Sequence, residues 1–374
     1  MQKKILYIVN DLNFFISHRL AIALAAQNEG YEIHLACPII DTVNENLGSI
    51  KIHHISLSRS GTNPFREILT FLSIYKVITK VHPSLVHLIT IKPVLYGGII
   101  SSFFKKTRVV FAIPGLGFSF IQKGIKAFMF RGLISILYRL AFRGKRIKVI
   151  FQNKDDKSLL QNLTKLKNSE VELIKGSGVN LEEYSFSPIP EGKKVISMLS
   201  RMQKDKGVIE FLEAASILKN RRCEAQFNFI GKCDISYASK IDEKLLNKLK
   251  SKGNVNFLGY RDNINELIAD STVVVLPSYR EGFPKVLQEA AACGRPIVAS
   301  DVPGCREAVE DGENGLLVEP RNSQDLADKI QTLIEDEGLL KKMGLKSREK
   351  AEREFSIEKI VSRHLEIYSD LFRL

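Results

Sequence analysis

Nowhere in this chain of 374 residues does an apolar run approach the roughly 18 residues that a membrane-spanning helix needs. The first apolar stretch, Ile5 to Val9, is too short for the core of a secretion signal and reads as a β-strand. Cytoplasmic residence is therefore the expectation. The five cysteines (Cys37, Cys223, Cys233, Cys293, Cys305) are odd in number and never spaced Cys-x-x-Cys. That argues against a disulfide framework and a structural zinc knuckle, and for reduced, mostly buried thiols. Asp-x-Asp, His-Glu-x-x-His and Gly-x-x-x-x-Gly-Lys-Ser/Thr are all missing, so neither a metal site nor a P-loop is expected. There is no low-complexity tract either. With 44% hydrophobic and 26% charged residues, the composition is that of a globular protein able to bury a large core.

Acidic residues are the most informative shortage. Residues 1–150 hold 20 Lys and Arg against 6 Asp and Glu, a balance of +14 in a chain whose total is +13. The excess therefore lies wholly in the first half. Between Ser101 and Ile150 there are 11 basic residues and no acidic one. Such a segment attracts nucleic acid, anionic lipid or a phosphorylated substrate. Its basic residues are interleaved with Phe118, Phe120, Phe128, Met129, Phe130, Leu133 and Ile136. That apolar load favours a membrane surface over a phosphate backbone, and no nucleic-acid partner is expected. A plain basic, solvated face over a buried helix is the competing reading.

At this length two domains are expected. Short β-rich runs alternate with amphipathic stretches: strands at Ile5 to Val9, Glu32 to Ala36, Leu85 to Ile89 and Arg108 to Ala112, and helices near Ser17 to Gln27 and Phe65 to Thr79. The prolines and glycine of Ser185 to Gly192 then read as a linker. The alternation restarts with Val195 to Leu199, a helix near Gly207 to Lys219, Gln226 to Ile230, Val255 to Leu258, Thr272 to Leu276, a helix near Pro284 to Ala292, and Pro296 to Ala299. The unbroken apolar runs Val273 to Leu276 and Pro296 to Ala299 suit strands covered on both faces. The fold class is thus α/β, with Rossmann-like domains over 1–187 and 188–374. The final amphipathic helix, Ile357 to Leu371, has the option of packing back on the first domain.

Chemistry concentrates after the strand at Thr272 to Leu276, in Pro277-Ser278-Tyr279-Arg280-Glu281-Gly282-Phe283-Pro284-Lys285-Val286-Leu287-Gln288-Glu289. Pro284 opens a helix there, and its first-turn amides, helped by Gly282, form an anion site of the kind found at the carboxyl ends of parallel strands. Glu289 lies about 7.5 Å further along the helix axis, and Glu281 precedes the helix in the loop. Two carboxylates at different depths around a phosphate site suit a sugar nucleotide, one for the ribose diol and one for sugar hydroxyls. A glycosidase also uses two carboxylates, but the phosphate-ready loop argues for the first reading. Upstream, Ser200-Arg201-Met202-Gln203-Lys204-Asp205-Lys206-Gly207 repeats the strand-to-helix pattern. Arg201 and Lys206 can share one diphosphate, offsetting the charge on a departing nucleoside diphosphate without a metal ion.

Glu281 and Glu289 around Gly282-Phe283-Pro284, with Arg201, Lys206-Gly207 and Gly176-Ser177-Gly178-Val179-Asn180, resemble glycosyltransferase family 4, retaining enzymes of the GT-B fold. The resemblance implies that Arg201 and Lys206 hold the donor diphosphate and that Glu281 contacts the donor sugar. Glu289 would bind the ribose, with Gly282, Phe283, Pro284 and Val286 lining the phosphate. It implies a UDP-sugar co-substrate, attack on the leaving group's own face, and no protein nucleophile.

The first half is a more particular match. Phe15-Ile16-Ser17-His18-Arg19, Ser58-Arg59 with Asn63-Pro64, Lys92-Pro93 with Tyr96-Gly97, and Gly115-Leu116-Gly117 resemble enzymes that extend polyprenyl-diphosphate-linked sugars of O-antigen, capsule or bacterial N-glycan. Among them are the undecaprenyl-diphosphate-linked-sugar N-acetylgalactosaminyltransferases. This likeness implies transfer of an N-acetylhexosamine, such as N-acetylgalactosamine, to a lipid-linked saccharide at the inner face of the cell membrane. It also implies an acceptor side built from Ser17, His18, Arg19, Lys92, Gly115 and Gly117, with His18 joining Glu281, Lys206 and Arg201 in catalysis. Two departures stand out. Phe14-Phe15 replaces the family's glycine pair in the first loop, and Pro114-Gly115 replaces its histidine after the fourth strand. A packed helix-start histidine and a solvated loop lysine are the plainer roles for His18 and Lys92. The rival functions are a sugar-nucleotide epimerase with two such lobes and a non-catalytic sugar-nucleotide-binding scaffold.

Overall fold

The computed structural model describes residues 2–38, 47–58, 63–116, 125–232 and 241–373. The chain divides into two compact units, Met1–Ser177 with Glu358–Leu374, and Gly178–Ile357.

In the first unit the elements are β1 (Lys4–Ile8), α1 (Leu12–Asn28), β2 (Glu32–Cys37), β3 (Lys51–His54), α2 (Pro64–Val81), β4 (Leu85–Ile89), α3 (Ile91–Ser101), β5 (Arg108–Ile113), α4 (Ile125–Ala141), β6 (Ile147–Phe151), α5 (Lys154–Thr164) and β7 (Val171–Leu173). The seven strands form one sheet in the order β3-β2-β1-β4-β5-β6-β7, and every pairing is parallel. β1 from Ile5 to Ile8 and all of β4 are buried, and apart from Tyr7 and His87 they are aliphatic, because helices cover both faces. Leu6, Ile8, Val86 and Leu88 pack with α2, α4 and α5. Ile5, Tyr7, Leu85 and Ile89 pack with α1 and with the C-terminal helix.

The second unit contains β8 (Lys194–Leu199), α6 (Val208–Asn220), β9 (Ala225–Ile230), α7 (Glu243–Lys250), β10 (Asn256–Gly259), α8 (Ile264–Ala269), β11 (Val273–Leu276), α9 (Lys285–Ala292), β12 (Ile297–Ser300), α10 (Cys305–Ala308), β13 (Gly315–Val318), α11 (Ser323–Glu335) and α12 (Glu337–Lys350). Its sheet, also parallel, runs β10-β9-β8-β11-β12-β13. Val273 and Val275 point into the α6–α11 layer, while Val274 and Leu276 point into the layer that holds α9. Both faces of β11 are therefore inside, which is why its sequence shows no alternation.

Three sequence expectations need correction. The first helix begins at Leu12, about a turn before the expected Ser17, because the Asp11 side chain caps it by accepting from the Phe14 amide at 3.1 Å. Ser17, His18 and Arg19 are thus inside the helix. Lys92, read as a loop lysine, stands in the first turn of α3. The division of the chain comes ten residues before the expected 187/188 boundary. Val179 and Tyr184 are buried in the second unit's core, and Arg295 donates to Ser187 Oγ at 2.8 Å, so the stretch before the proline-rich turn belongs to the second unit.

The last helix, α13 (Ile357–Arg373), packs with the first unit's core through Ile360, Ile367, Tyr368 and Leu371. A buried polar knot joins it to the sheet. Tyr368 Oη lies 3.0 Å from Tyr7 Oη and 2.6 Å from His87 Nδ1, and the His364 ring stacks 5.9 Å from that of His87. His364 Nδ1 donates to the Ile360 carbonyl at 2.7 Å, which fixes its tautomer. Among the described residues no helix is long and apolar enough to cross a membrane.

Burial holds His364 at about 3 and His87 well below its ordinary 6.5. Both rings are neutral when folded, whereas the unfolded chain protonates them as pH falls through 6.5. Stability contributed by this knot is therefore complete above pH 6.5 and declines steadily below it. Melting temperatures from pH 7.5 to 5 should fall less for His364→Phe than for the unsubstituted protein. A parallel fall would show that the acid sensitivity lies elsewhere.

Candidate active site

In the second unit the candidate residues gather at the carboxyl ends of β8, β9 and β11, which adjoin one another in the sheet. The segment after β8 makes a single 3₁₀ turn, Lys204–Lys206, and enters α6 through Gly207 in the left-handed region at φ 76°. A side chain there is sterically impossible without movement, since a Cβ on Gly207 would stand 2.0 Å from the Pro277 carbonyl oxygen. The two strand-end loops are pressed together at this point. Tyr279 N donates to the Asp205 carbonyl at 2.9 Å, and Tyr279 Oη donates to Glu210 at 2.7 Å. Lys206 Nζ meets Glu281 Oε1 at 2.6 Å, and Ser278 Oγ donates to the same oxygen at 2.7 Å. The backbone of Glu281 and Gly282 rests on a third loop, because a Cβ on Gly304 would lie 2.8 Å and 2.5 Å from their carbonyl oxygens.

Behind Glu281 the chain turns inward. Phe283 is buried edge-on against Phe355, with ring centroids 5.3 Å apart, and so anchors the loop. Pro284 is the N-cap of α9 rather than its first residue. Glu289, on the second turn of α9, is 7% exposed and pairs with Lys285 at 3.5 Å. Burial raises its pKa above the ordinary 4.5, against the opposing effects of Lys285 and a hydrogen bond from Tyr184. Arg201, Val286 and Glu289 line one cavity of about 440 Å³, with Ile230, Lys232 and Tyr260 as further walls. The Lys232 ammonium sits 4.1 Å from the centre of the Tyr260 ring. Tyr184, Lys232 and Tyr260 escaped sequence reasoning, and Ser278 entered it only as part of its loop. Gly231-Lys232 directly after β9 was the one available signal, since it repeats the strand-end position of Arg201.

In the first unit, Ser17 and His18 follow β1, Lys92 follows β4 and Gly115 follows β5, three neighbouring strands. The segments that carry them all leave the carboxyl ends of these strands. Ser17 Oγ lies 2.7 Å from His18 Nδ1, and the His18 ring stacks on Phe14 at 4.2 Å. Lys92 Nζ is held by Glu67 Oε1 at 2.6 Å, and Tyr96 Oη donates to Glu67 Oε2 at 2.7 Å. Neither Glu67 nor Tyr96 was singled out from sequence as a site residue. Arg19 departs from expectation: it is 2% exposed, turned into the core beside Tyr7 and Tyr368, and donates to the His18 carbonyl at 2.8 Å. An acceptor group has no access to it there. Gly117 lies outside the described residues.

Two parallel sheets with helices on both faces, each gathering candidate residues at its strands' carboxyl ends, are the architecture of GT-B glycosyltransferases. Residues 180–350 match the family model of glycosyl transferases group 1, and residues 4–153 match that of glycosyl transferase 4-like proteins. The chain is 30% identical to the N,N'-diacetylbacillosaminyl-diphospho-undecaprenol alpha-1,3-N-acetylgalactosaminyltransferase of Campylobacter jejuni, over 96% of this chain and 98% of that one. It is 26% identical to the capsular polysaccharide biosynthesis glycosyltransferase CapM of Staphylococcus aureus, over 82% of each. Among solved structures, Anabaena Alr3699/HepE in complex with UDP aligns with a TM-score of 0.78 at 22% identity, over 99% of this chain and 100% of that one. The chain therefore belongs to glycosyltransferase family 4 and is a hexosyltransferase.

Gly207→Ala should destabilise the protein by more than about 1 kcal/mol, since it adds both a strained φ and a clash. Differential scanning calorimetry against Gly192→Ala checks this, because Gly192 also has positive φ but open space around its Cβ position. Equal losses would mean that the contact with Pro277 carries no weight.

Proposed function

We propose that the enzyme transfers an N-acetylhexosamine, with N-acetylgalactosamine favoured, from a UDP-sugar to an undecaprenyl-diphosphate-linked saccharide during assembly of a bacterial surface polysaccharide or glycan. The observation that carries the donor half is the cavity shared by Arg201, Val286 and Glu289, on the same strand-end edge as the Lys206–Glu281 pair. A uridine in this cavity directs its ribose diol to Glu289, whose carboxylate accepts both hydroxyls. The diphosphate then meets Arg201, Lys206 and the first-turn amides of α9, and the sugar reaches Glu281. As the glycosidic bond breaks, negative charge moves onto the diphosphate, and two fixed cations with a helix N-terminus stabilise it without reorganising. In this reading no metal is required. The carboxylate of Glu281 orients Lys206 and accepts from a sugar hydroxyl, so it serves both halves of the donor.

The acceptor half rests on the likeness to the Campylobacter enzyme, whose name specifies a lipid-diphosphate acceptor. His18 and Ser17 contact the incoming saccharide, Lys92 its diphosphate, and Gly115 leaves room for it. Arg19 contributes from the core as a positioning residue through the His18 carbonyl. The basic first half seats the protein on the anionic inner face of the cell membrane.

Thermal shift with UDP-N-acetylgalactosamine, UDP-N-acetylglucosamine, UDP-galactose and GDP-mannose, each with chelator, tests the donor assignment. One uridine sugar should stabilise the protein with chelator present, and stabilisation only by GDP-mannose, or only on adding a divalent ion, would contradict it. Glu281→Ala should retain the fold and lose about 10²–10³ in kcat, as for removal of one fixed transition-state contact. Unchanged turnover would remove Glu281 from the site.

Glu289 adds a pH signature. Its raised pKa means that its burial cost is absent below pH 4.5 and complete once pH exceeds the raised folded value. Glu289→Gln should therefore gain stability relative to the unsubstituted enzyme as pH rises from 4.5 to 7.5, while losing affinity for UDP. Calorimetry at both ends of that range checks the first, and UDP titration the second.

A further inference from the structure

α2 is anchored on one side only. Ile74, Val77, Ile78 and Val81 lie in the core of the first unit, which leaves the opposite face of the helix outward. On that face Phe65 is 80% exposed, Ile68 and Leu69 57%, and Leu72 and Tyr75 46%. These positions recur at intervals of three and four, so they form one stripe about 15 Å long. Single exposed apolar residues are ordinary, but a contiguous stripe of this kind marks an interaction surface.

The charges around the stripe identify its partner. The other large exposed side chains of α2 are Arg66, Lys76 and Lys80, all basic. Its single carboxylate, Glu67, is turned against α3 and neutralised by Lys92. After Glu67 the chain has no acidic residue until Asp155. The surface continues beyond α2. The Tyr75 ring lies 6.3 Å from that of Phe104, which brings up the turn carrying Phe103, 76% exposed, and the exposed Lys105 and Lys106.

We propose that α2 is an interfacial membrane helix, with Phe65, Leu69 and Leu72 entering the acyl boundary of an anionic bilayer and the flanking lysines and arginine meeting its headgroups. Helices with an apolar face flanked by basic residues lie in the plane of such an interface, and each basic residue near an anionic surface adds to the attraction. A second copy of the chain is the poorer occupant, because a two-fold contact through this face sets like charges opposite one another. Nucleic acid is poorer still, since aliphatic Ile68, Leu69 and Leu72 offer its phosphates nothing. The inference deepens the lipid-linked acceptor reading and rests on it for one consequence. Glu67, in the first turn of the inserted helix, holds Lys92, so docking sets Lys92 at headgroup level, where a lipid-borne diphosphate lies.

The chain contains no tryptophan, so Leu69→Trp is a sole indole reporter. Its emission should shift to the blue on adding phosphatidylcholine vesicles with about one-third phosphatidylglycerol, and shift little with phosphatidylcholine alone. Leu345→Trp, at an exposed position of α12, should not shift. The combined variant Phe65→Ser, Leu69→Ser, Leu72→Ser should keep its circular dichroism and its stabilisation by UDP-sugar while co-sedimenting at least about tenfold less with the anionic vesicles. Undiminished sedimentation of that variant, or a silent L69W reporter on vesicles that do bind the protein, would overturn the proposal. So would a dimer that the triple substitution converts to monomer with no vesicle binding in either form. Transfer to a short-chain, detergent-dissolved lipid diphosphate saccharide tests the acceptor reading separately. Its failure beside intact vesicle insertion defeats that reading and leaves the role of α2 standing.

Discussion

The Lys206–Glu281 ion pair is the contact on which the second unit's site depends. It ties two loops that leave adjacent parallel strands, adding a side-chain link to the backbone contacts that already press them together. At 17% and 12% side-chain exposure, the pair lies between exposed ion pairs, worth about 0–1 kcal/mol, and buried ones, whose breaking costs about 3–5 kcal/mol. Ser278 accounts for part of the carboxylate's remaining hydrogen-bonding capacity, and the backbone contact at Gly207 sets the loop spacing that makes 2.6 Å possible. A cation and a carboxylate fixed in this way are already oriented before any ligand arrives. Preorganised charge of this kind is what transfer of a sugar away from a diphosphate demands.

The first unit uses polarity differently. Its knot of Tyr7, His87, His364 and Tyr368, with Arg19 alongside, is sealed from water and docks the C-terminal helix rather than a substrate. Burial lowers the Arg19 guanidinium to about 10 and both imidazoles below their usual range. The same elements bring Ser17 and His18 to the accessible end of β1. A buried polar cluster and a polar candidate site thus meet on consecutive residues of α1, and the direction in which each side chain points separates them.

This division explains what could and could not be read from the amino acids. The strands were legible because parallel strands covered on both faces are written as unbroken apolar runs. The strand-end loops of the second unit were legible as loops because glycine, proline and paired charges recur where strand passes into helix. Arg19 was misplaced because a basic residue beside His18 in the sequence looks accessible until the phase of α1 is known, and that phase is set by Asp11. Glu67 and Tyr96 went unremarked as site residues because their significance comes from α2 lying beside α3, a tertiary contact. Tyr184 escaped notice because it precedes the linker and so was read as part of the first domain, whereas it lies in the second unit's core and reaches Glu289 there.

The most direct test of the donor assignment is a crystal structure of the protein with UDP-N-acetylgalactosamine. The ribose should lie within hydrogen-bonding distance of Glu289, the diphosphate between Arg201, Lys206 and the amides at the start of α9, and the sugar against Glu281. A nucleotide bound anywhere else, or one that leaves Glu289 and the Lys206–Glu281 pair untouched, would contradict it.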